Sequence, residues 1–223
     1  ETSRGCPFLC TFCDQGIDES KITAFSTKRL AEEMNYVGEK ISKIEKGIQT
    51  IYIFDSNWGL FQKDIDLADH IRKVMDKYDW PKFIYATTPK SKRENILRID
   101  DKLKNRVGVG LAMQSMNTDV LKKIKRKNFE IWEQIDHIKA IQKRGKTANT
   151  ELIIPLPGET KETYFEAIKF LMDNGVMTNT YTLMMLCGAE LGRDAAIKKF
   201  DMESKFRILP KQFGEEETKK ICA

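Results

Sequence analysis

The chain has 223 residues, of which 41% are hydrophobic and 32% charged, and its 38 basic residues outnumber the 33 acidic ones by five. This balance predicts a globular protein with a core of useful size and argues against wholesale disorder. No run approaches the roughly 18 apolar residues of a membrane span, the first residues lack the apolar centre of a secretory signal, and the small basic excess is interpreted as solvated surface rather than as a nucleic-acid interface.

Short apolar runs without strict polar alternation predict strands, and we expect these strands to be buried on both faces. A further stub is expected at the N-terminus. In chain order the runs are Ile51–Phe54, Phe83–Ala86, Val107–Ala112, Leu152–Ile154 and Tyr181–Leu186.

Between these runs, apolar residues recur three and four positions apart, which predicts amphipathic helices. Thr160 is placed to cap the last helix, and Gly145 and Gly175 stand where the last two helices should end. The four apolar stripes run from Leu30 to Ile44, Leu67 to Tyr78, Ile131 to Ile138 and Tyr164 to Leu171.

The alternation of strands and helices predicts an α/β fold with a mainly parallel sheet and right-handed crossovers. A closed eight-unit barrel needs about 250 residues, so this length favours a partial (β/α)6 barrel with outer helices. Residues 1–192 are predicted to form this core. Residues 193–223 carry many charges without a clear period, and we expect an irregular C-terminal extension there. Because the chain begins directly before a cysteine cluster and without Met, we expect it to be one domain of a longer protein.

In such a barrel, functional side chains lie at the carboxyl ends of the strands. The polar residues that close the predicted strands are therefore candidate site residues, namely Asp55, Asn57, Gln114, Ser115 and Glu151. The basic run Lys122–Lys127 is interpreted as a solvated face, with contact to an acidic substrate as the alternative.

Three cysteines near the N-terminus, Cys6, Cys10 and Cys13, have the spacing C-x3-C-x2-C. Three thiolates on one loop can ligate three irons of a 4Fe–4S cluster and leave the fourth iron open to a substrate or cofactor. A zinc site usually has four ligands in two pairs, and the chain has no second C-x2-C. Its two histidines, His70 and His137, fall on predicted helices. A zinc or redox site, or a chance cluster, is the alternative.

The cysteine count of five is odd and does not suit a disulfide framework. We therefore expect a reducing, cytoplasmic compartment. Cys187 follows the last predicted strand and is expected to be a buried, inert thiol, with substrate contact or a role as an extra ligand as the alternative. Cys222 is assigned no role.

The cysteine spacing, with Phe12 directly before the third cysteine and the motif at the end of the first strand, resembles the radical SAM superfamily. The resemblance implies that the open iron is chelated by the amino and carboxylate groups of S-adenosylmethionine (SAM). It further implies that the reduced cluster cleaves the sulfonium bond to give a 5′-deoxyadenosyl radical, which abstracts a hydrogen atom.

The resemblance extends to about Leu186. Pro155 replaces a glycine of the family's pattern, so the backbone there lacks a donor. The matching segments are Phe54–Asn57, Gly110–Ser115, Leu121–Arg126 and Glu151–Thr160. Residues implied for the SAM pocket are Phe12, Asp55, Asn57, Gln114, Ser115 and Glu151.

The resemblance is strongest to the branch that often carries an N-terminal cobalamin-binding domain, because of Ser3–Pro7 and the segment Pro157–Thr160. It implies methyl transfer with cobalamin bound by a domain outside this sequence. It also implies a small-molecule or biosynthetic-intermediate substrate, a low-potential electron donor such as flavodoxin or ferredoxin, and no membrane. A methylthiotransferase or another radical SAM modification enzyme, and a non-catalytic iron–sulfur electron carrier, are the alternatives. A nucleic-acid-binding protein is disfavoured because no aromatic-rich basic platform is evident.

Overall fold

The computed structural model describes residues 1–16, 21–44 and 47–205. Near the N-terminus, β1 (Ser3–Arg4) pairs in antiparallel fashion with β2 (Thr23–Ala24). The predicted N-terminal stub therefore pairs with a neighbouring segment. The three clustered cysteines lie on the connection that leaves β1.

Four longer strands form two parallel pairs. Strand β3 (Thr50–Ile53) pairs with β4 (Phe83–Ala86), and β5 (Asn149–Ile154) pairs with β6 (Met177–Thr182). Residues 107–114 run between the two pairs and make isolated parallel bridges to both. Among the described residues the order is thus β3, β4, segment 107–114, β5 and β6, which is a mainly parallel partial barrel, as predicted.

The predicted strand Val107–Ala112 is not a continuous strand. Its backbone pairs with the neighbouring strands through the isolated bridges Ile84–Val107 and Gly110–Asn149, and a third bridge joins Gln114 to Leu152. Ala112 and Gln114 have φ angles of 46° and 65°, a left-handed conformation that interrupts extended backbone. The local conformation therefore breaks a ladder that the apolar sequence favours.

The last strand lies earlier than predicted. It covers Met177–Thr182, where a threonine stands at every second position, instead of Tyr181–Leu186. Its threonines are β-branched and suit a strand, but they give no apolar run. Cys187 therefore lies five positions beyond the strand, and its expected burial is wrong because it is exposed.

The four predicted helices are all present, and the described residues form three more that the sequence did not predict, α3 (Arg93–Lys102), α4 (Thr118–Lys123) and α7 (Asp194–Phe200). Thr160 caps α6 by accepting from the backbone N–H of Thr163 at 3.2 Å, and Gly145 and Gly175 follow α5 and α6 with φ of 70° and 65°. None of the helices in the described residues is long and apolar enough to cross a lipid bilayer. The helices are α1 Thr27–Ile41, α2 Gln62–Tyr78, α3 Arg93–Lys102, α4 Thr118–Lys123, α5 Ile131–Gln142, α6 Lys161–Asp173 and α7 Asp194–Phe200.

The C-terminal part is more regular than predicted. Helix α7 begins at Asp194, and its Ala196 packs with Val120 and Leu156 in a buried cluster. The expectation of irregular structure from Arg193 is thus wrong for α7, because a short amphipathic helix gives no recognisable period. The division of the core from the extension at 192/193 stays a prediction. Residues 206–223, with Cys222, lie outside the described residues.

The expectation that the strands are buried on both faces is wrong. Ile53 and Ile84 pack with Leu67 and Ile71 of α2 on the outer side of the sheet. Residues at alternate positions, such as Tyr85, are exposed on the opposite, concave side, because successive side chains of a strand point to opposite faces. The barrel is therefore open on its inner face.

A buried ion pair fixes the start of segment 107–114. The side chain of Asp100 is fully buried and accepts from Lys146 Nζ at 2.5 Å through both oxygens, and from the backbone N–H of Val107 at 3.0 Å. Lys146 Nζ also donates to the Val107 carbonyl at 2.7 Å. The pair therefore ties α3 to the segment that joins the two halves of the sheet.

Replacing Lys146 by Met should lower the free energy of unfolding by about 3–5 kcal/mol, because it leaves the buried carboxylate of Asp100 with only the more distant cation of Arg144, at 3.9 Å. Urea unfolding measures this change. The exposed pair Lys169–Asp173 supplies the control, since Lys169→Met should cost less than about 1 kcal/mol. Equal effects of the two variants would contradict the role given to Asp100.

His137 lies buried on α5, with its ring edge-on to Phe129 at 6.2 Å. Neither ring nitrogen has a hydrogen-bond partner among the described residues. Burial, reinforced by the positive charges of Arg93 and Arg144, lowers the pKa of His137 to about 4. His137 is therefore a neutral core residue, as expected for a histidine on a helix.

The buried imidazole should make the protein less stable as the pH falls from about 6.5 to about 4. Over this window the unfolded chain takes up a proton on His137 that the folded chain does not. This difference lowers the free energy of unfolding by about 3 kcal/mol at pH 4. His137→Phe should remove this part of the pH dependence in urea unfolding between pH 7 and 4.5. Equal profiles for the wild type and His137→Phe would contradict the prediction.

Candidate iron–sulfur and cofactor site

The cysteine loop is held from two sides through Thr11. The N–H of Thr11 donates to the Ile124 carbonyl at 3.1 Å, and its carbonyl accepts from the N–H of Leu191 at 2.8 Å. Within the loop, the N–H of Cys13 donates to the Cys10 carbonyl at 3.1 Å. The end of α4 and the turn before α7 therefore fix the loop that carries the three thiols.

The three thiols are free, with Cys10 buried and Cys6 and Cys13 half-buried. Burial raises the pKa of the Cys13 thiol, and the negative charges of Asp14, Cys10 and Cys6 act in the same direction. The three sulfurs are thus close enough to influence one another. Ionising all of them requires compensating positive charge.

Side-chain hydrogen-bond donors lie next to the sulfurs of Cys6 and Cys10. Asn57 Nδ2 lies 3.1 Å from Cys6 Sγ, Lys90 Nζ lies 3.2 Å from Cys10 Sγ, and Arg126 Nη1 lies 3.9 Å from the same sulfur. Burial lowers the pKa of Lys90 and of Arg126, and the negative charge of Cys10 opposes this shift in both. Donors of this kind stabilise thiolates.

The donor set fits a 4Fe–4S cluster. Among the described residues, no three His, Cys, Asp or Glu side chains are arranged to hold a single metal ion. A 4Fe–4S cluster makes a different demand, because each iron takes its own thiolate and the sulfurs need not converge on one point. Three free thiols on one loop, with donors directed at their sulfurs, meet this demand, and tuning by such donors is typical of iron–sulfur sites.

Asp55 is buried and its carboxylate binds the N-terminal segment. It accepts from the N–H and the hydroxyl of Thr2, each at 2.5 Å, and from the hydroxyl of Ser3 at 2.7 Å. The end of β3 is thereby joined to the residues just before Cys6. The sequence predicted Asp55 as a SAM contact, and that role stays a prediction beside this structural one.

Gln114 and Ser115 lie buried where segment 107–114 ends. The backbone of Gln114 donates to the Glu151 carbonyl at 2.7 Å and accepts from the N–H of Ile153 at 2.9 Å. The Ser115 hydroxyl donates to Glu159 at 2.5 Å. Ser115 therefore contacts the Pro157–Thr160 segment, a contact that the sequence did not reveal.

Phe12 and Asn57 lie next to the cysteine loop. The ring of Phe12 packs against the buried cluster that contains Ile124 and Leu191, so it anchors the cysteine loop to this part of the core. Asn57 donates to Cys6, as described above. Their predicted contacts with SAM stay predictions.

Glu151 is exposed on the concave face and lines a cleft of about 440 Å³. On one wall, the ring of Tyr52 is stacked with that of Tyr85 at 5.2 Å and with that of Phe54 at 6.0 Å. Asn149 and Asn179 lie with Glu151 on the other side. The cleft thus combines an aromatic wall with a polar wall and suits a ligand that has one flat apolar part and one hydrogen-bonding part.

Sequence reasoning missed Lys90 and misread Arg126. Lys90 follows strand β4 at its carboxyl end, a position that could have marked it. Arg126 lies in the run interpreted as solvated, and the structure corrects this interpretation because Arg126 is half-buried and directed at Cys10, whereas Lys125 and Lys127 are exposed. The sequence of a charged run at the end of a helix does not reveal which of its side chains is directed towards the protein interior.

A partial parallel barrel that carries three free thiols on the loop after its first strand defines the class of iron–sulfur enzymes that bind a cofactor at an open iron. The sequence model of the Radical SAM superfamily matches residues 1–186, and the chain belongs to that superfamily.

Individual relatives agree with this assignment. The chain is 28% identical over 222 residues to the cobalamin-dependent radical SAM methyltransferase TokK of Streptomyces tokunonensis. This alignment covers 95% of this chain and 30% of TokK. It is 24% identical over 183 residues to a tRNA-2-methylthio-N(6)-dimethylallyladenosine synthase of Bdellovibrio bacteriovorus. This alignment covers 79% of this chain and 39% of the synthase. The chain thus spans about a third of the length of these curated relatives.

Among solved structures, the radical SAM methyltransferase TsrM of Kitasatospora setae, with cobalamin and a [4Fe–4S] cluster bound, is similar in fold. The TM-score is 0.70 at 17% identity, and the match covers 86% of this chain and 35% of that one. This similarity confirms the predicted partial barrel.

Replacing Asp55 by Ala should loosen the segment before Cys6. It leaves the N–H of buried Thr2 without its acceptor, which costs about 1–3 kcal/mol of the free energy of unfolding. We expect less iron bound per chain after anaerobic reconstitution, measured by iron analysis. Asp66→Ala, at an exposed position of α2, is the control and should bind iron as the wild type does. Unchanged stability and iron content in Asp55→Ala would contradict this role.

Proposed function

We propose that this chain is the catalytic core of a cobalamin-dependent radical SAM methyltransferase, in which Cys6, Cys10 and Cys13 ligate a 4Fe–4S cluster. The observation that carries the proposal is the loop of three free thiols, with an amide donating to Cys6 and an ammonium group donating to Cys10. Similarity to TokK supports the methyltransferase assignment over other reactions of the superfamily.

The chain's own residues have distinct tasks in this proposal. When bound, the reduced cluster supplies the electron that cleaves the sulfonium bond of SAM. Asn57 and Lys90 hold the thiolates by hydrogen bonds. Glu151 accepts hydrogen bonds from hydroxyl groups of the nucleoside part of SAM in the concave cleft, and the stacked rings of Tyr52, Phe54 and Tyr85 supply a flat apolar surface on the opposite wall.

The substrate is proposed to be a small molecule with a flat apolar part, because the cleft has one aromatic and one polar wall. Cobalamin is proposed to bind to a domain outside this sequence. The electron is proposed to come from a low-potential donor such as flavodoxin or ferredoxin.

A methylthiotransferase is the second candidate, favoured by the similarity to the Bdellovibrio enzyme. The two functions differ in product, since one adds a methyl group and the other adds sulfur as well. A non-catalytic electron carrier differs from both, because it would need no SAM and would leave the polar wall of the cleft without a ligand.

The cluster and its open iron can be tested on the chain itself. After anaerobic reconstitution with iron and sulfide, the protein should show the Mössbauer spectrum of a 4Fe–4S cluster with one iron that is distinct from the other three. Adding SAM to the dithionite-reduced protein should change its EPR spectrum and release 5′-deoxyadenosine, because the open iron binds SAM. The variant Cys6→Ala/Cys10→Ala/Cys13→Ala should lose the cluster.

Cys187→Ala is the matched control, because this cysteine is exposed and lies outside the loop. It should keep both the cluster and the response to SAM. A cluster that does not respond to SAM would support the electron carrier, and a triple variant that still binds the cluster would refute the ligand assignment.

A further inference from the structure

Lys90 is an unusual lysine, because only 9% of it is exposed whereas lysines are seldom buried without a partner. Its ammonium group lies 3.2 Å from Cys10 Sγ and 4.2 Å from the centre of the Phe8 ring. No carboxylate pairs with it in the part of the chain that the structure describes. The burial of this charge is therefore compensated by a sulfur atom and by the face of an aromatic ring.

The three thiols have different electrostatic surroundings. Cys6 receives a neutral amide from Asn57, and Cys13 lies 3.9 Å from the carboxylate of Asp14. Cys10 alone among the three receives cations in the described residues. Positive charge is thus concentrated at one ligand position.

Of the two cations at Cys10, Lys90 lies nearer to the sulfur and makes fewer other hydrogen bonds. Arg126 lies at 3.9 Å, and its guanidinium also donates to the Ala112 carbonyl and to Asn128. The ammonium group of Lys90 makes one hydrogen bond among the described residues, to Cys10 Sγ at 3.2 Å. The stronger electrostatic effect on Cys10 therefore comes from Lys90.

We propose that Lys90 is a positioning residue that raises the reduction potential of the cluster ligated by Cys10, an inference that rests on the proposed function. Reduction adds one electron from an external one-electron reductant to the oxidised cluster, [4Fe–4S]²⁺, and gives [4Fe–4S]⁺, with no bond broken and with the lysine keeping its proton. A fixed positive charge beside a ligand sulfur stabilises the more negative, reduced state. Hydrogen bonds to sulfur and net charge are the features that set such potentials.

The test is a redox titration of the reconstituted protein with dithionite and mediator dyes, followed by EPR. Lys90→Met keeps the length of the side chain and removes its charge. We expect at least a tenfold lower affinity for the electron, which is a shift of about 59 mV to more negative potential. Lys90→Arg keeps the charge and should restore most of the wild-type potential, which a purely steric role would not do.

Lys127→Met is the matched control, because Lys127 is exposed and lines the same 470 Å³ cleft as Lys90. It should shift the potential by less than a third as much. The proposal is overturned if Lys90→Met titrates like the wild type, or if Lys90→Arg shifts as far as Lys90→Met.

Iron content separates this inference from the proposed function. A wild-type chain that binds no cluster refutes the proposed function. A wild-type cluster whose potential is indifferent to Lys90 refutes only the inference. Where Lys90→Met retains no cluster, Lys90→Gln replaces it as the neutral variant, and the proposal then requires the same negative shift relative to Lys90→Arg.

Discussion

The site depends on the two backbone hydrogen bonds of Thr11, which lies buried between the second and third cysteines. One bond joins the loop to the end of α4 and the other to the turn before α7. A loop of eight residues that must place three sulfurs on one side cannot do so by its own local preferences, because its backbone forms neither helix nor strand there. The elements on which it rests come from residues more than a hundred positions later, so the geometry of the thiols is a product of the whole barrel.

The same constraint explains the charges around the loop. Burying Cys10 beside the barrel brings it against the carboxyl end of β4 and the end of α4, and each of these positions supplies a cation, Lys90 and Arg126. A buried ammonium group without a counter-charge would be costly. The burial of Lys90 is therefore consistent with a protein whose working state has negative charge at Cys10.

Much of this arrangement follows from the sequence where the signal is local. The cap at Thr160 and the ends of α5 and α6 at glycine positions depend on residues within a few positions of each other, so they were predicted. The apolar run Val107–Ala112 predicts a strand, yet the conformation of segment 107–114 depends on pairing with β5 through Gln114. Lys90 and Arg126 contact Cys10 across 80 and 116 positions. The place of Lys90 after a predicted strand marks it as a candidate, whereas nothing in the sequence around Arg126 distinguishes it from its exposed neighbours.

Two of the residues that carry the family resemblance serve the chain itself. Asp55 binds Thr2 and Ser3, and Ser115 binds Glu159. In each case one matching segment is tied to another, the end of β3 to the residues before Cys6, and the end of segment 107–114 to the loop before α6. The first contact fixes the segment that leads to the cysteine loop, and the second fixes the loop that leads to α6. A polar residue at a strand end can therefore belong to a site by fixing its walls, whereas the side chain of Glu151 is exposed within the cleft.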